Sequence, residues 1–178
     1  MQFFTATKIK RLAIIILIMI VVITADQISK EIAQKYLADS PTISYLNNFF
    51  IFHYAENEGA FLSMGSNWPP AVRIILLTIV PIVFLLVLLF VVLFSKEMDM
   101  LTTIAFALIL GGGLSNMWDR LFNNGFVVDF MNMGIGSLRT GIFNVADMAI
   151  TTAFFMIIVH MIYHRVQHKK GEQHIAKQ

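Results

Sequence analysis

A chain of 178 residues that is 57% hydrophobic and only 13% charged is composed for lipid, since soluble domains carry about 25% charged residues. Its mean hydropathy of +0.73 and sixteen Phe agree, and they leave no room for a second sizeable soluble domain. The formal net charge of +2 resides at the chain ends, with no aromatic-interleaved basic stripe to suit nucleic acid, and the lack of Cys excludes thiol catalysis, Cys-ligated metal and disulfides.

The first apolar stretch, 12–25, continues in good helix formers to about Lys35. Its length also suits a signal-peptide core, but no A-x-A-like site follows, so it reads as a retained span over 12–34. Residues 36–70 form a β-rich segment. Aromatic and β-branched runs at 42–46 and 49–54 flank Asn47-Asn48, which predicts a hairpin. His53 in that hairpin is placed to meet substrate. The clearest span is 71–94, with Arg73 at its outer end and an internal Pro81 that predicts a kink. A third span covers 100–122, with Trp118 placed for an interface. Residues 123–141 form an outer loop whose seven Gly or Asn positions break helix around the apolar patch 126–131. The fourth span is 142–163, followed by a basic tail over 164–178.

Lys8, Lys10 and Arg11 precede the first span, and Arg165, Lys169, Lys170 and Lys177 follow the last. Four spans place both ends on one side, and basic ends face the cytoplasm. The short turn holding Lys96 against Glu97 and Asp99 adds little to this assignment. The β-rich segment and the outer loop are then extracytoplasmic.

Two acids stand out against this apolar background. Asp147 lies five residues into a span beginning at 142, about 7.5 Å deep at 1.5 Å per residue. An ionised carboxylate in a membrane span marks a functional site by default. Asp129 arrives from the loop joining the third and fourth spans. Two carboxylates sharing a site cannot both ionise easily, so one holds a proton near neutral pH while the other does not. Asn116, Asp119 and Arg120 share one face of the third helix, and Asn144 shares a face with Asp147. All can converge near one membrane surface. Interhelical hydrogen bonding that holds the bundle is the blander role for any one of them alone. For Asp119 the expected role is an ion pair with the adjacent Arg120. Asp26 either caps, pairs with Lys30 at i+4 or binds substrate head groups, with a structural or substrate-supporting role favoured over catalysis. Gly111-Gly-Gly113 lets the third helix approach a neighbour closely, and no Lys-Ser/Thr follows to make a phosphate loop. Ser115 has no His at its depth to act as a base. His160 and His164 have metal spacing but sit at the cytoplasmic end, so no metal or other cofactor is expected. The turn 57–62 and the outer loop are expected to close over the site.

Five motifs carry a resemblance. They are Asp26-Gln-Ile-Ser-Lys30, Asn57-Glu-Gly-Ala-Phe61, Gly111-Gly-Gly-Leu-Ser-Asn-Met-Trp-Asp-Arg-Leu121, Val127-Val-Asp-Phe130 and Phe143-Asn-Val-Ala-Asp147. With them the chain closely resembles, over essentially its whole length, the lipoprotein signal peptidases, the signal peptidase II aspartic proteases of bacterial inner membranes. The resemblance implies an all-α membrane protein of four transmembrane helices, with a small extracytoplasmic β-cradle and a partly helical outer loop. It implies catalysis by Asp129 and Asp147, with Asn57, Asn116, Arg120 and Asn144 lining or supporting the site; Asp26, Lys30, Gly59 and Asp119 are further candidates for substrate binding or site support. It implies an endopeptidase that cuts just before a diacylglyceryl-modified Cys at the outer face of the membrane. Its partners would be lipid-modified prolipoproteins and membrane lipids, with no oligomer required. One departure is visible: Ser115 stands where the family usually has glycine, which predicts altered packing rather than lost activity. The rival from another class is a small proton- or cation-coupled transporter using Asp26, Asp129 and Asp147 as a relay. A relay needs acids through the bilayer, and the cytoplasmic halves of all four spans lack them.

Overall fold

The computed structural model describes residues 6–59, 64–95 and 98–175. Part of the 57–62 turn, together with Lys96, Glu97 and Lys177, lies outside the described residues. Among the described residues, four helical segments are long and apolar enough to cross a membrane. The first is α1 (Ala6–Leu37), longer than predicted at both ends. The second combines α2 (Pro70–Ile74), a π-helical turn (Ile75–Ile79) and α3 (Val80–Phe94). The third is α4 (Met100–Phe122) and the last is α5 (Val145–Ile175). The disturbance predicted at Pro81 is thus a π turn directly before it. Proline has no N–H to donate and its ring crowds the preceding turn, so the helix widens there.

Successive spans run in opposite directions. Arg11 near the start of α1 donates to the carbonyls of Val92 and Ser95 at the end of α3, at 3.2 and 2.7 Å. Asp99 caps α4 through the Thr102 N–H at 2.9 Å, and that bond holds its carboxyl below the usual range. His160 of α5 lies 3.3 Å from the same carboxylate, so the starts of α1 and α4 and the late part of α5 share one end.

The central helix is α4, which packs against α1, α3 and α5. Its three consecutive glycines explain how. A Cβ on Gly111 would meet Val22 Cβ at 3.0 Å, on Gly112 the Ala146 carbonyl oxygen at 2.6 Å, and on Gly113 Leu85 Cδ2 at 2.6 Å. One glycine therefore faces each neighbouring helix, and dispersion between closely approaching backbones replaces the hydrophobic effect that lipid cannot supply. Ile15, Leu85, Leu88, Val92, Ala107, Leu110 and Met117 form the core between α1, α3 and α4. Outward faces carry exposed Leu17, Phe90, Phe94, Phe154 and Val159, a surface suited to lipid rather than water.

At the opposite end sits a four-stranded antiparallel sheet of order β1-β2-β3-β4. The predicted hairpin is present as β1 (Ile43–Tyr45) and β2 (Phe50–Asn57), with Asn47 and Asn48 at positive φ in its turn. His53 lies in β2, 3.3 Å from Thr42, and does not line the cavity described below. The outer loop differs from the expectation of partial helix. It forms β3 (Val127–Ile135) and β4 (Leu138–Arg139), and no residue between 123 and 141 is helical. Its apolar patch has five successive buried residues, Val127 to Met131, which is the pattern of a strand covered on both faces. Gly134 allows close strand approach, since a Cβ there would lie 2.3 Å from the Leu138 oxygen. The sheet rests on the end of α1 and the start of α5 through Ala33, Phe130, Met131 and Val145.

Candidate active site

The start of α5 differs from the sequence expectation. The helix begins at Val145, with Asn144 as its cap. Asn144 Oδ1 accepts the Asp147 N–H at 2.9 Å, while Asp147 Oδ2 accepts the Asn144 N–H at 3.2 Å. This reciprocal pair is a capping box, which satisfies two backbone donors that the first turn leaves without partners. Asp147 therefore stands in the first turn, not five residues in. Asp26 reinforces the same helix end from outside, accepting the Ala146 N–H at 2.8 Å.

Strand β3 brings Asp129 to this point. On one side it pairs with β2, placing Asp129 opposite Ala55, next to an irregularity between Phe52 and Ala55. On the other side the Phe130 and Met131 N–H groups both donate to the Phe143 carbonyl, at 3.1 and 2.9 Å. The residue after Asp129 and the residue before Asn144 are thus tied together. Bulges of this kind re-aim side chains beside functional sites.

Three asparagine amides then frame the two carboxylates. Asn144 Nδ2 donates to Asp129 Oδ1 at 2.7 Å, so with its backbone N–H on Asp147 Oδ2 one residue binds both acids. Asn57 Nδ2 donates to Asp129 Oδ2 at 2.8 Å, and its own oxygen accepts the Gly59 N–H at 2.9 Å. Asn116 Nδ2 donates to Asp147 Oδ1 at 2.9 Å. Arg120 donates to the carbonyls of Gly59 and Gly125, at 2.5 and 3.0 Å. It ties the turn carrying Asn57 to the loop after α4.

Below the pair lies a buried ionic cluster. Asp26 and Lys30 form the expected i, i+4 pair at 2.6 Å. Asp119 does not pair with Arg120 as predicted; its partner is Lys30, at 2.7 Å. Neighbouring residues point to different sides of a helix, and here Asp119 faces α1. Asp119 Oδ2 also accepts the Val128 N–H at 3.2 Å, which pins β3 one residue before Asp129. Gln27, to which the sequence reading gave no role, donates to Asp119 Oδ1 at 2.8 Å and to the Ser115 hydroxyl at 3.0 Å. Ser115 does more than alter packing, since its hydroxyl donates to Asp26 Oδ2 at 2.8 Å. A second pair that sequence reasoning missed joins Arg73 of α2 to Glu58 beside Asn57.

Asn57, Gly59, Asn116, Arg120, Asp129 and Asp147 line one end of a cavity of about 720 Å³. Its remaining walls are largely apolar, including Leu76 and Leu77 of the π turn, Pro81, Phe84 and Leu85 of α3, Ile109 of α4 and Ile150 of α5. Asp26, Lys30, Asp119 and Asn144 stand behind this wall rather than in it. Asp129 is 2% exposed. Burial first, and then the charge of Asp147, push its carboxyl up to about 7 against the pull of Asn57, Lys30 and Asn144.

That shift has a sign that can be tested. A carboxyl with a raised folded-state pKa contributes stability that is complete below its unfolded pKa and is lost as pH rises through 7. Asp129→Asn removes this slope. The variant should therefore gain stability relative to the unaltered protein as pH is raised from about 4 to about 8, by on the order of 4 kcal/mol. Thermal unfolding in detergent across that range measures it. A constant difference between the two proteins would contradict a buried, proton-holding Asp129.

These features describe a protein with four membrane-length apolar helices among the described residues and paired acids at one end of an apolar cavity. The sequence pattern of signal peptidase (SPase) II matches residues 18–163. A lipoprotein signal peptidase of Francisella tularensis subsp. novicida (strain U112) is 31% identical over 144 residues, covering 81% of this chain and 88% of that one. Another, of Pelodictyon phaeoclathratiforme (strain DSM 5477 / BU-1), is 36% identical over 156 residues, covering 83% and 87%. A solved bacterial membrane enzyme, determined by the in meso method at 2.3 Å resolution, matches with a TM-score of 0.73 at 26% identity, covering 84% of this chain and 87% of that chain. This chain belongs to the signal peptidase II family. It is accordingly a multi-pass hydrolase of the bacterial inner membrane, and the transporter alternative finds no support.

Proposed function

We propose that this chain is an aspartic endopeptidase that removes signal peptides from lipid-modified prolipoproteins, with Asp129 and Asp147 as its catalytic pair. The observation that carries the reading is Asn144, whose side-chain amide donates to the Asp129 carboxylate and whose backbone N–H donates to that of Asp147, at the polar end of an apolar cavity. One aspartate takes a proton from water as the water oxygen attacks the scissile carbonyl. The other gives its proton to the departing amine as the C–N bond breaks. An Asp129 that titrates near 7 is available in both forms at neutral pH. The amides of Asn57 and Asn116 hold the carboxylates in place, and Arg120 supplies positive charge as negative charge develops on the carbonyl oxygen.

The apolar walls formed by α3, α4 and α5 suit a signal helix and the acyl chains of a diacylglyceryl-modified Cys. The basic termini favour an orientation with the sheet end, and hence the acids, at the extracytoplasmic face. There a lipid anchor holds the scissile bond just before the modified Cys. Both acids come from one chain, so one copy suffices. The chemistry is carried by side chains of this chain, two carboxylates, their amide partners and the Arg120 guanidinium, so EDTA should leave the rate unchanged; loss in chelator restored by one divalent ion would contradict it.

The substrate assignment is tested with purified protein and paired peptides that differ only in lipidation. The lipidated peptide should be cut on the N-terminal side of its modified Cys, and the unlipidated one at least about a hundredfold more slowly, since remote binding energy is what positions the reacting bond. Equal rates, or cleavage elsewhere, would overturn the assignment.

A further inference from the structure

The ammonium of Lys30 is buried, and three acceptors surround it. Asp26 Oδ2 lies at 2.6 Å, Asp119 Oδ2 at 2.7 Å and Asn116 Oδ1 at 3.0 Å. An ammonium has three hydrogens, so these contacts use all of them. The third contact has a chemical consequence. A side-chain amide carries an acceptor at one end and a donor at the other. Because Lys30 and Asn144 both donate to Asn116 Oδ1, the donor end must face Asp147, where Nδ2 lies 2.9 Å from Oδ1. The reversed amide would set oxygen against carboxylate and NH₂ against ammonium.

Resting on the aspartic-peptidase reading above, we infer that Lys30 is a positioning residue for hydrolysis: through Asn116 it presents a donor to Asp147, and it places a cationic side chain behind the aspartate pair. Charged groups face it from every element packed around it. Asp26 comes from α1 itself, Asp119 from α4, Asp129 from β3 and Asp147 from α5, with Arg120 of α4 the other cation beside the pair. Lys30 opposes the burial that pushes the Asp129 carboxyl up.

The experiment measures kcat and KM across pH on a lipidated prolipoprotein. It uses the full-length protein, Asp129→Asn, Lys30→Arg, Lys30→Met, and Asn116→Ala alone and with Lys30→Met. Asp129→Asn separates the two layers: if it cleaves normally, the underlying reading falls and this inference falls with it. If it is inactive, the Lys30 variants decide. Lys30→Met should lower kcat about tenfold with KM little changed, and move the acidic limb of kcat/KM upward by about one pH unit, because a carboxylate that loses a nearby cation keeps its proton to higher pH. In the Asn116→Ala background the same change should still move the limb but lower kcat less, since the amide it orients is gone. Lys30→Arg keeps the charge but does not fit three acceptors built around one nitrogen, so the limb should stay in place while kcat falls about tenfold. That variant decides alone if Lys30→Met fails to accumulate. An unmoved limb in Lys30→Met, or an unchanged kcat in Lys30→Arg, would overturn the assignment.

Discussion

Asn in place of either Asp129 or Asp147 is expected to slow cleavage of a lipidated prolipoprotein at least about a thousandfold, with the protein still inserted and folded. The substitution keeps shape and removes the ability to exchange a proton with water or amine. It also spoils the amide frame. Asp129 accepts from Asn144 and Asn57, and Asp147 accepts from Asn116 and from the Asn144 backbone. An amide at either position turns one NH₂ towards an existing donor. For Asp129→Asn, lost activity should coincide with gained relative stability at high pH, because the burial of an ionisable acid is relieved. That combination separates a chemical defect from unfolding, in keeping with the trade between stability and activity at functional sites. Cleavage within about tenfold of normal by either variant, at matched protein levels, would remove the pair from the mechanism.

The second large effect comes from a residue that touches no substrate. Gly112→Ala should reduce activity about a hundredfold and lower stability by about 2–4 kcal/mol, comparable to the severe core changes caused by overpacking. The new methyl would sit 2.6 Å from the Ala146 carbonyl oxygen and 2.9 Å from Ile150 Cγ1. The first obstacle is backbone and cannot turn aside. Relief requires α4 and α5 to separate at the first turn of α5, where Asp147 stands. A displacement of about 1 Å at a reacting group is enough for such a loss. Gly113→Ala is the control. Its methyl meets only the Leu85 side-chain end, also at 2.6 Å, and a rotamer change accommodates it, so activity should fall less than about fivefold. Equal behaviour of the two variants would show that the α4–α5 approach does not set the site.

The spans were legible because length and apolar composition decide them, and the β1–β2 turn because Asn47-Asn48 accept positive φ. Other features lay beyond local pattern. Strand β2 runs to Asn57 because β3 pairs with it, Asn57 lying opposite Val127 from a segment distant in the chain. The outer loop reads as glycine- and asparagine-rich, yet its apolar patch becomes a strand once β2 and Phe143 supply partners on both sides. Two corrections were within reach of the sequence. Asn144-Val-Ala-Asp147 has capping-box spacing, which sets the helix start at Val145 rather than 142. Asp119 and Arg120 are adjacent on a helix and cannot share a face, which argues against pairing them. The identity of Lys30 as the true partner needed the packing of α1 on α4, as did the bond from Ser115 to Asp26. The convergence of Asp129 and Asp147 was legible from depth and order; Asn144 as the residue bonding both required the structure.

The most direct test of a pair sharing one proton is the pH dependence of kcat/KM on a lipidated prolipoprotein. The expected profile is a bell, with a limb on each side belonging to the pair as a unit and activity falling as the last shared proton is lost. Asp129, held near 7, places that fall around neutral to mildly alkaline pH. A rate that stays flat from about pH 5 to about pH 9, where no carboxyl proton is being exchanged, would contradict hydrolysis by Asp129 and Asp147.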